Sequence, residues 1–270
     1  MRPRRSCVPR PSESSTGSTC GCTGNSTARS WWCLTAPAVR EPRANSLGSV
    51  SPAFDARRVN DCVEGCATAH QRLLEIADGL ADEAFRAPST LPGWSRAHVI
   101  AHLALNARSH VGLFAAAARG EQGEQYPGGG PARSGAIEEW STRAPSTLRN
   151  DLRRAVYELE GAWAAASADS WQGTGLSPSG AVVPISDLPF LRWRETLVHT
   201  VDLDVGVGFD SWPALWVKLE LDRQRMMWAA SHPMGLTQLP AGANALDDRN
   251  RLAWLLGRVD IDGLPRGLGL

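Results

Sequence analysis

The chain has 270 residues with 28 basic and 28 acidic side chains, and 43% of it is hydrophobic. That is the composition of an ordinary globular protein, which excludes collagen-like, coiled-coil and wholly disordered chains. No run approaches the roughly 18–20 apolar residues needed to cross a bilayer, so a membrane partner is not expected. The balance of charge is uneven. Residues 1–50 carry seven Arg against Glu13 and Glu41, leaving the remainder 21 basic against 26 acidic. An acidic body and a diffuse basic segment offer no footprint for nucleic acid.

In chain order, residues 1–52 are rich in Ser, Thr, Pro, Gly and Arg, lack helical or strand periodicity and hold four of the six cysteines. They read as a disordered low-complexity tail, and a start-site artefact explains them equally well. No apolar core of a secretion signal follows the first arginines, and only Cys62 and Cys66 lie in the body, so a cytoplasmic, reducing setting is expected. From Arg57 to Leu80 apolar residues recur at helical spacing. Leu91-Pro92-Gly93 is a turn, and Ser95 stands where an N-cap opens a second helix running to Arg119. Residues 120–132 read as a Gly-rich loop in which Gly128-Gly129-Gly130-Pro131 starts no helix, and helix resumes over Ala136–Arg143. A third long helix is expected over Leu148–Ser167, a short extended segment over Ser179–Pro184, and a fourth long helix over Leu188–Leu203 ending before Gly206. Trp212–Ser231 and Asp247–Val259 read as further helices flanking a possible strand at Leu236–Leu239. The expected fold is mainly α: a four-helix bundle over 53–207 and a small mixed α/β C-terminal domain over 208–270.

The residues capable of chemistry cluster on the second and fourth long helices. His98 and His102 are four apart, as are Glu195 and His199, so each pair shares a helix face. Glu195, His199 and one histidine from a facing helix would make a three-ligand site with an open position, as in catalytic zinc proteins. His102, within the apolar run Val99, Ile100, Leu103, suits this better than His98, which would lie near the rim. The same spacings also arise in exposed hydrogen-bonded pairs and in core histidines satisfied by backbone carbonyls. Asp202 can either orient the His199 imidazole or stand as a solvated helix-terminal carboxylate. No Gly-x-Ser-x-Gly elbow or phosphate loop is present, which argues against serine hydrolase and nucleotide-hydrolysing chemistry.

Two blocks carry a family resemblance: Leu91 to Ala107 (LPGWSRAHVIAHLALNA) and Arg194 to Leu203 (RETLVHTVDL). Together they resemble the mycothiol-dependent maleylpyruvate isomerase family, of the DinB-like metal-binding superfamily, from about residue 55 onward. The resemblance implies a DinB-like four-helix bundle, Zn2+ held by His102, Glu195 and His199, and mycothiol as thiol cosubstrate. It also implies an arginine of the C-terminal domain in activity, for which Arg258 is the match, with Arg194 and Arg96 as weaker candidates for pairing substrate carboxylates. The implied reaction is cis–trans isomerisation of maleylpyruvate or a similar cis-enedioyl acid by reversible thiolate addition. A mycothiol S-transferase and a non-catalytic metal-binding or sensor bundle are the alternatives. The expected partners are mycothiol and a small-molecule substrate, with the protein a monomer or weak dimer. Lys218 is the only lysine against 27 arginines, a usage compatible with a high-GC, actinobacterial host.

Overall fold

The computed structural model describes residues 55–269, all within one compact unit. The expectations for residues 1–52, including the four cysteines there, lie outside these residues.

Helix α1 (Ala56–Gly79) is started by Asp55, whose carboxylate accepts from the backbone N–H groups of Arg57 and Arg58. Helix α2 (Arg96–Ala118) follows the turn at Gly93, with Ser95 as its N-cap. A two-residue strand β1 (Gly123–Glu124) leads into α3 (Gly129–Ser141), then α4 (Pro145–Ala165) and the single turn α5 (Ala168–Trp171). Strands β2 (Thr174–Leu176) and β3 (Val182–Pro184) form a hairpin, with β1 parallel to β2. Helix α6 (Leu188–Asp202) completes the bundle, and α7 (Ala214–Ser231), α8 (Ala241–Asn244) and α9 (Asp248–Leu255) follow. Helices α1, α6, α2 and α4 form a closed ring of neighbours, with α3 laid along α2. Among the described residues no helix is long and apolar enough to cross a membrane.

Two expectations need correction. Gly128-Gly129-Gly130-Pro131 does start a helix. Gly128 (φ 87°) and Gly129 (φ 68°) turn the chain through left-handed conformations closed to most residues. Pro131 then falls in the first turn, where its missing N–H has no intrahelical acceptor to lose. The strand expected at Leu236–Leu239 is absent. Leu236 N–H closes a turn on Pro233 O, and its side chain is 63% exposed with no partner strand to cover it. Among the described residues the strands are β1, β2 and β3, which fall between α2 and α6 in chain order.

The core is held by apolar packing together with buried polar contacts. Gly65 of α1 admits the Trp193 indole of α6 so closely that a Cβ there would stand 2.3 Å from the ring. Beside it, the fully buried Arg192 donates from Nε to His70 Nε2 (2.9 Å) and from Nη1 to Leu103 O (2.8 Å) and Asn106 Oδ1 (2.9 Å). His70 therefore carries its proton on Nδ1, which donates to Glu160 Oε1 at 2.9 Å. Burial pushes the His70 pKa from 6.5 down to about 4, against the opposing pull of Glu160. Between those values the unfolded chain binds a proton that the folded chain refuses, so stability falls as pH drops below 6.5, by about 2 kcal/mol at pH 5 from this residue. In His70→Gln the difference in urea-unfolding free energy between pH 7 and pH 5 is expected to narrow by about that amount. An unchanged difference would mean that His70 is protonated in the folded protein.

Candidate metal centre

Helices α2 and α6 face each other where the two histidine-bearing turns meet. His102, Glu195 and His199 offer one ligand atom each, all within 4.8 Å of one another. The His102 and His199 rings meet edge to face, 4.7 Å between centroids. His102 Nε2 lies 2.8 Å from Glu195 Oε2, and His199 Nε2 lies 3.5 Å from the same oxygen. Both histidines are buried, and the Glu195 side chain is 13% exposed. The i, i+4 spacing on α6 is what brings a carboxylate and an imidazole to one point.

The surroundings fix the rings. His199 Nδ1 donates to Asp202 Oδ2 at 2.8 Å, turning its Nε2 toward Glu195. Asp202 is fully buried and accepts from Arg258 Nε (2.8 Å) and Nη2 (2.9 Å) and from Thr90 Oγ1 (3.1 Å). Trp94 packs its ring beside His102, 5.8 Å between centroids. On α3, Arg133 Nη2 lies 3.1 Å from His102 Nδ1, and its guanidinium stacks over the Tyr126 ring.

Electrostatics sort the cluster. Burial pushes the His102 pKa down to about 3, so this imidazole is neutral at pH 7. For Glu195 burial acts upward, but the hydrogen bonds from His102 and His199 outweigh it and hold the carboxyl ionised well below its ordinary range. For His199 burial acts downward and is outweighed by Asp202 and Glu195, so its pKa is raised. Asp202 is likewise held ionised, as hydrogen bonding to His199 and the charges of His199 and Arg258 overcome its burial. Two imidazole nitrogens and a carboxylate oxygen converging at the buried meeting of α2 and α6 could hold a metal ion. The residues present fit such an ion.

The remaining candidates have other partners. His98 serves the start of α2: its Nδ1 accepts from the Ser95 backbone N–H at 3.1 Å and lies 2.7 Å from Ser95 Oγ. Arg96 donates to the carbonyls of Leu203 (2.7 Å) and Asp204 (2.6 Å), closing the C-terminal end of α6. Arg194 pairs with buried Glu220 of α7 at 3.0 Å. Arg258 reaches the site through Asp202, and its Nη1 donates to Leu256 O at 2.9 Å. A cavity of about 730 Å³ opens on the other side of α6, lined by Thr68, Trp193, Leu197 and Thr200 among others, but none of His102, Glu195 or His199 borders it. Arg133 is a neighbour that the sequence does not disclose, since a helix expected only from Ala136 leaves it outside α3.

The sequence family described as the mycothiol maleylpyruvate isomerase N-terminal domain matches residues 66–204, which include all three residues of the cluster. The chain belongs to this family. In three dimensions it is similar to the crystal structure of the mycothiol-dependent maleylpyruvate isomerase, with TM-score 0.68 and 24% identity over 77% of this chain and 96% of that one. A mutant form of that isomerase matches equally, at 23% identity and TM-score 0.68, with the same coverage. YfiT from Bacillus subtilis, described as a probable metal-dependent hydrolase with an unusual four-helix bundle topology, matches at 13% identity and TM-score 0.47, over 61% of this chain and 91% of that one. No curated protein matches the chain. The family is the one the two sequence blocks led us to expect, matched over residues 66–204.

Proposed function

We propose that the protein is a zinc-dependent, mycothiol-using enzyme that isomerises maleylpyruvate or a similar cis-enedioyl acid. The observation that carries this reading is the convergence of His102, Glu195 and His199 within 4.8 Å, in a chain of this family. Zinc held by those three residues would supply an open position for the mycothiol sulfur and lower the thiol pKa, so that thiolate is available at neutral pH. The thiolate adds to the conjugated double bond, whose electron pair moves into the adjacent carbonyl as an enolate. The carbon–carbon bond, now single, rotates, and expulsion of the thiolate returns the trans isomer with the thiol unchanged.

The chain's own residues prepare this site. Asp202 holds His199 with its Nε2 turned toward Glu195, where that nitrogen would be able to hold the ion, and Arg258 neutralises Asp202 and keeps it in place. The engagement of its guanidinium on Asp202 supports reading Arg258 as a positioning residue. Burial around His102 keeps its imidazole neutral and able to donate a lone pair.

The test is an assay of the zinc-loaded full chain with mycothiol and maleylpyruvate, following both the cis acid and the free thiol. Loss of the cis acid at constant thiol is the expected result. Consumption of thiol with build-up of a conjugate would replace isomerisation by S-transfer, and no thiol-dependent reaction in zinc-loaded protein would leave a non-catalytic metal bundle.

A further inference from the structure

Helices α1 and α4 leave a cavity of about 520 Å³ between them, with α5 adding to its wall, and no residue of the metal cluster borders it. The walls follow from the helical period. Val59, Val63 and Ala67 stand four apart on one face of α1, and Glu160, Trp163 and Ala164 share a face of α4. Alanines at 67, 164 and 168 are too short to fill the space between the helices. Trp171 of α5 completes the lining, its indole held edge to face by Phe114 of α2 at 4.9 Å between centroids. A mostly apolar groove of this volume between bundle helices suits a small organic molecule.

Among the described residues Glu160 is the one charged side chain in this lining. Its Oε1 accepts from His70 Nδ1 at 2.9 Å, and His70 is held in turn by Arg192 Nε at 2.9 Å, so a buried chain fixes the carboxylate in place. The neutral His70 ring gives Glu160 a hydrogen bond but no charge. Among the described residues no arginine or lysine pairs with Glu160, whose side chain is 26% exposed. A carboxylate largely withdrawn from water among apolar side chains favours a cation beside it. Trp163 supplies a second demand. Its ring stacks on that of His70, 5.8 Å between centroids and 9° between planes, one turn along α4 from Glu160. Trp163 is 5% exposed, and its Nε1–H has no acceptor among the described residues. A buried donor without a partner is costly, and an oxygen beside the cation would satisfy it.

We propose that the α1–α4 groove binds a small organic amine, with its ammonium on Glu160, a hydroxyl or carbonyl oxygen on the adjoining carbon for Trp163, and an apolar body along Val59, Val63 and Trp171. This site is separate from the metal cluster and does not rest on the zinc reading. It selects against acids, which Glu160 repels, and against neutral molecules of the same shape, which forgo the charge-assisted hydrogen bond.

The experiment titrates the full chain calorimetrically at pH 7 with phenylalaninol, which carries an ammonium, an adjoining hydroxyl and a phenyl body. Two relatives are titrated beside it: 3-phenylpropane-1,2-diol, in which a hydroxyl replaces the ammonium, and 2-phenylethylamine, which lacks the hydroxyl. Glu160→Gln removes the charge and keeps an oxygen for the His70 N–H. Ala164→Trp, at an exposed position of α4, fills the groove and leaves the carboxylate untouched. A thermal melt checks that both variants fold. We expect saturable binding of one phenylalaninol per chain, about tenfold tighter than the diol and about threefold tighter than 2-phenylethylamine. Glu160→Gln should bind phenylalaninol about tenfold more weakly with the diol unchanged, and Ala164→Trp should bind neither. No saturable binding to the wild type, equal affinity for phenylalaninol and the diol, or full binding in folded Glu160→Gln or Ala164→Trp would each overturn the proposal. Equal affinity for 2-phenylethylamine would overturn the part given to Trp163. Zinc uptake is unaffected by any of these outcomes, so the metal reading stands or falls separately.

Discussion

In His102→Ala, bound zinc is expected to fall from about one ion per chain to below about a tenth, because two donors on one helix cannot close a three-ligand site. Glu195 and His199 remain on α6, but the ligand supplied by α2 is gone. Thiol-dependent turnover should fall with the metal, by about a thousandfold or more, since a free thiol near its ordinary pKa is mostly protonated at pH 7. The fold should survive. The bundle is packed through Trp193 against Gly65 and through Arg192 against α2, none of which involves the His102 imidazole. Metal analysis, calorimetry with mycothiol and a thermal melt on the same preparation check all three statements. A variant that keeps stoichiometric zinc and full activity would remove His102 from the site.

The second large effect is expected at Asp202. Asparagine has nearly the same shape but only one acceptor oxygen, whereas Asp202 serves three residues: His199, Arg258 and Thr90. In Asp202→Asn the amide NH2 must confront a donor, either the His199 Nδ1–H or the Arg258 guanidinium. Zinc affinity should fall about 10–100-fold as His199 loses its orienting partner. Stability should fall by about 3 kcal/mol, because Arg258, whose side chain is 12% exposed, is left without its counter-charge. Adding Arg258→Met separates the two effects. The double variant is expected to recover much of the stability and none of the zinc affinity, read by urea unfolding and chelator competition. If Arg258 instead contacts substrate directly, Arg258→Met alone will raise KM and leave zinc affinity intact. If it acts through Asp202, zinc affinity will fall.

Much of this was legible in the residues. Helical spacing over 57–80 and 188–203 marked α1 and α6 to within a residue or two, because a buried face leaves a strong period in the sequence. The pairing of Glu195 with His199 was equally visible, being local to one helix. Spacing and apolar context favoured His102 over His98, and the structure supplies the reason: His98 is engaged with Ser95 at the helix start. What could not be read depends on contacts between distant segments. Three glycines and a proline look like a break until the first turn of α3 is seen to tolerate them, so the helix was expected to begin only at Ala136 and Arg133 was left outside it. Leu236 and Leu239 have the apolar character of a strand but no neighbouring strand to pair with. Only the resemblance pointed to Arg258, and its bidentate hold on Asp202 joins residues 56 positions apart.

Helix α6 presents a different obligation at almost every angle. Arg192 reaches into the core, Trp193 fills the notch in α1, Arg194 ties to α7, and Glu195, His199 and Asp202 form the cluster. Turning or sliding this helix by one residue would break all four sets of contacts together. Divergence among descendants of this fold therefore has little room on α6. Sequence change is more readily accommodated at the start of α3, where Pro131, Ala132 and Ser134 are exposed.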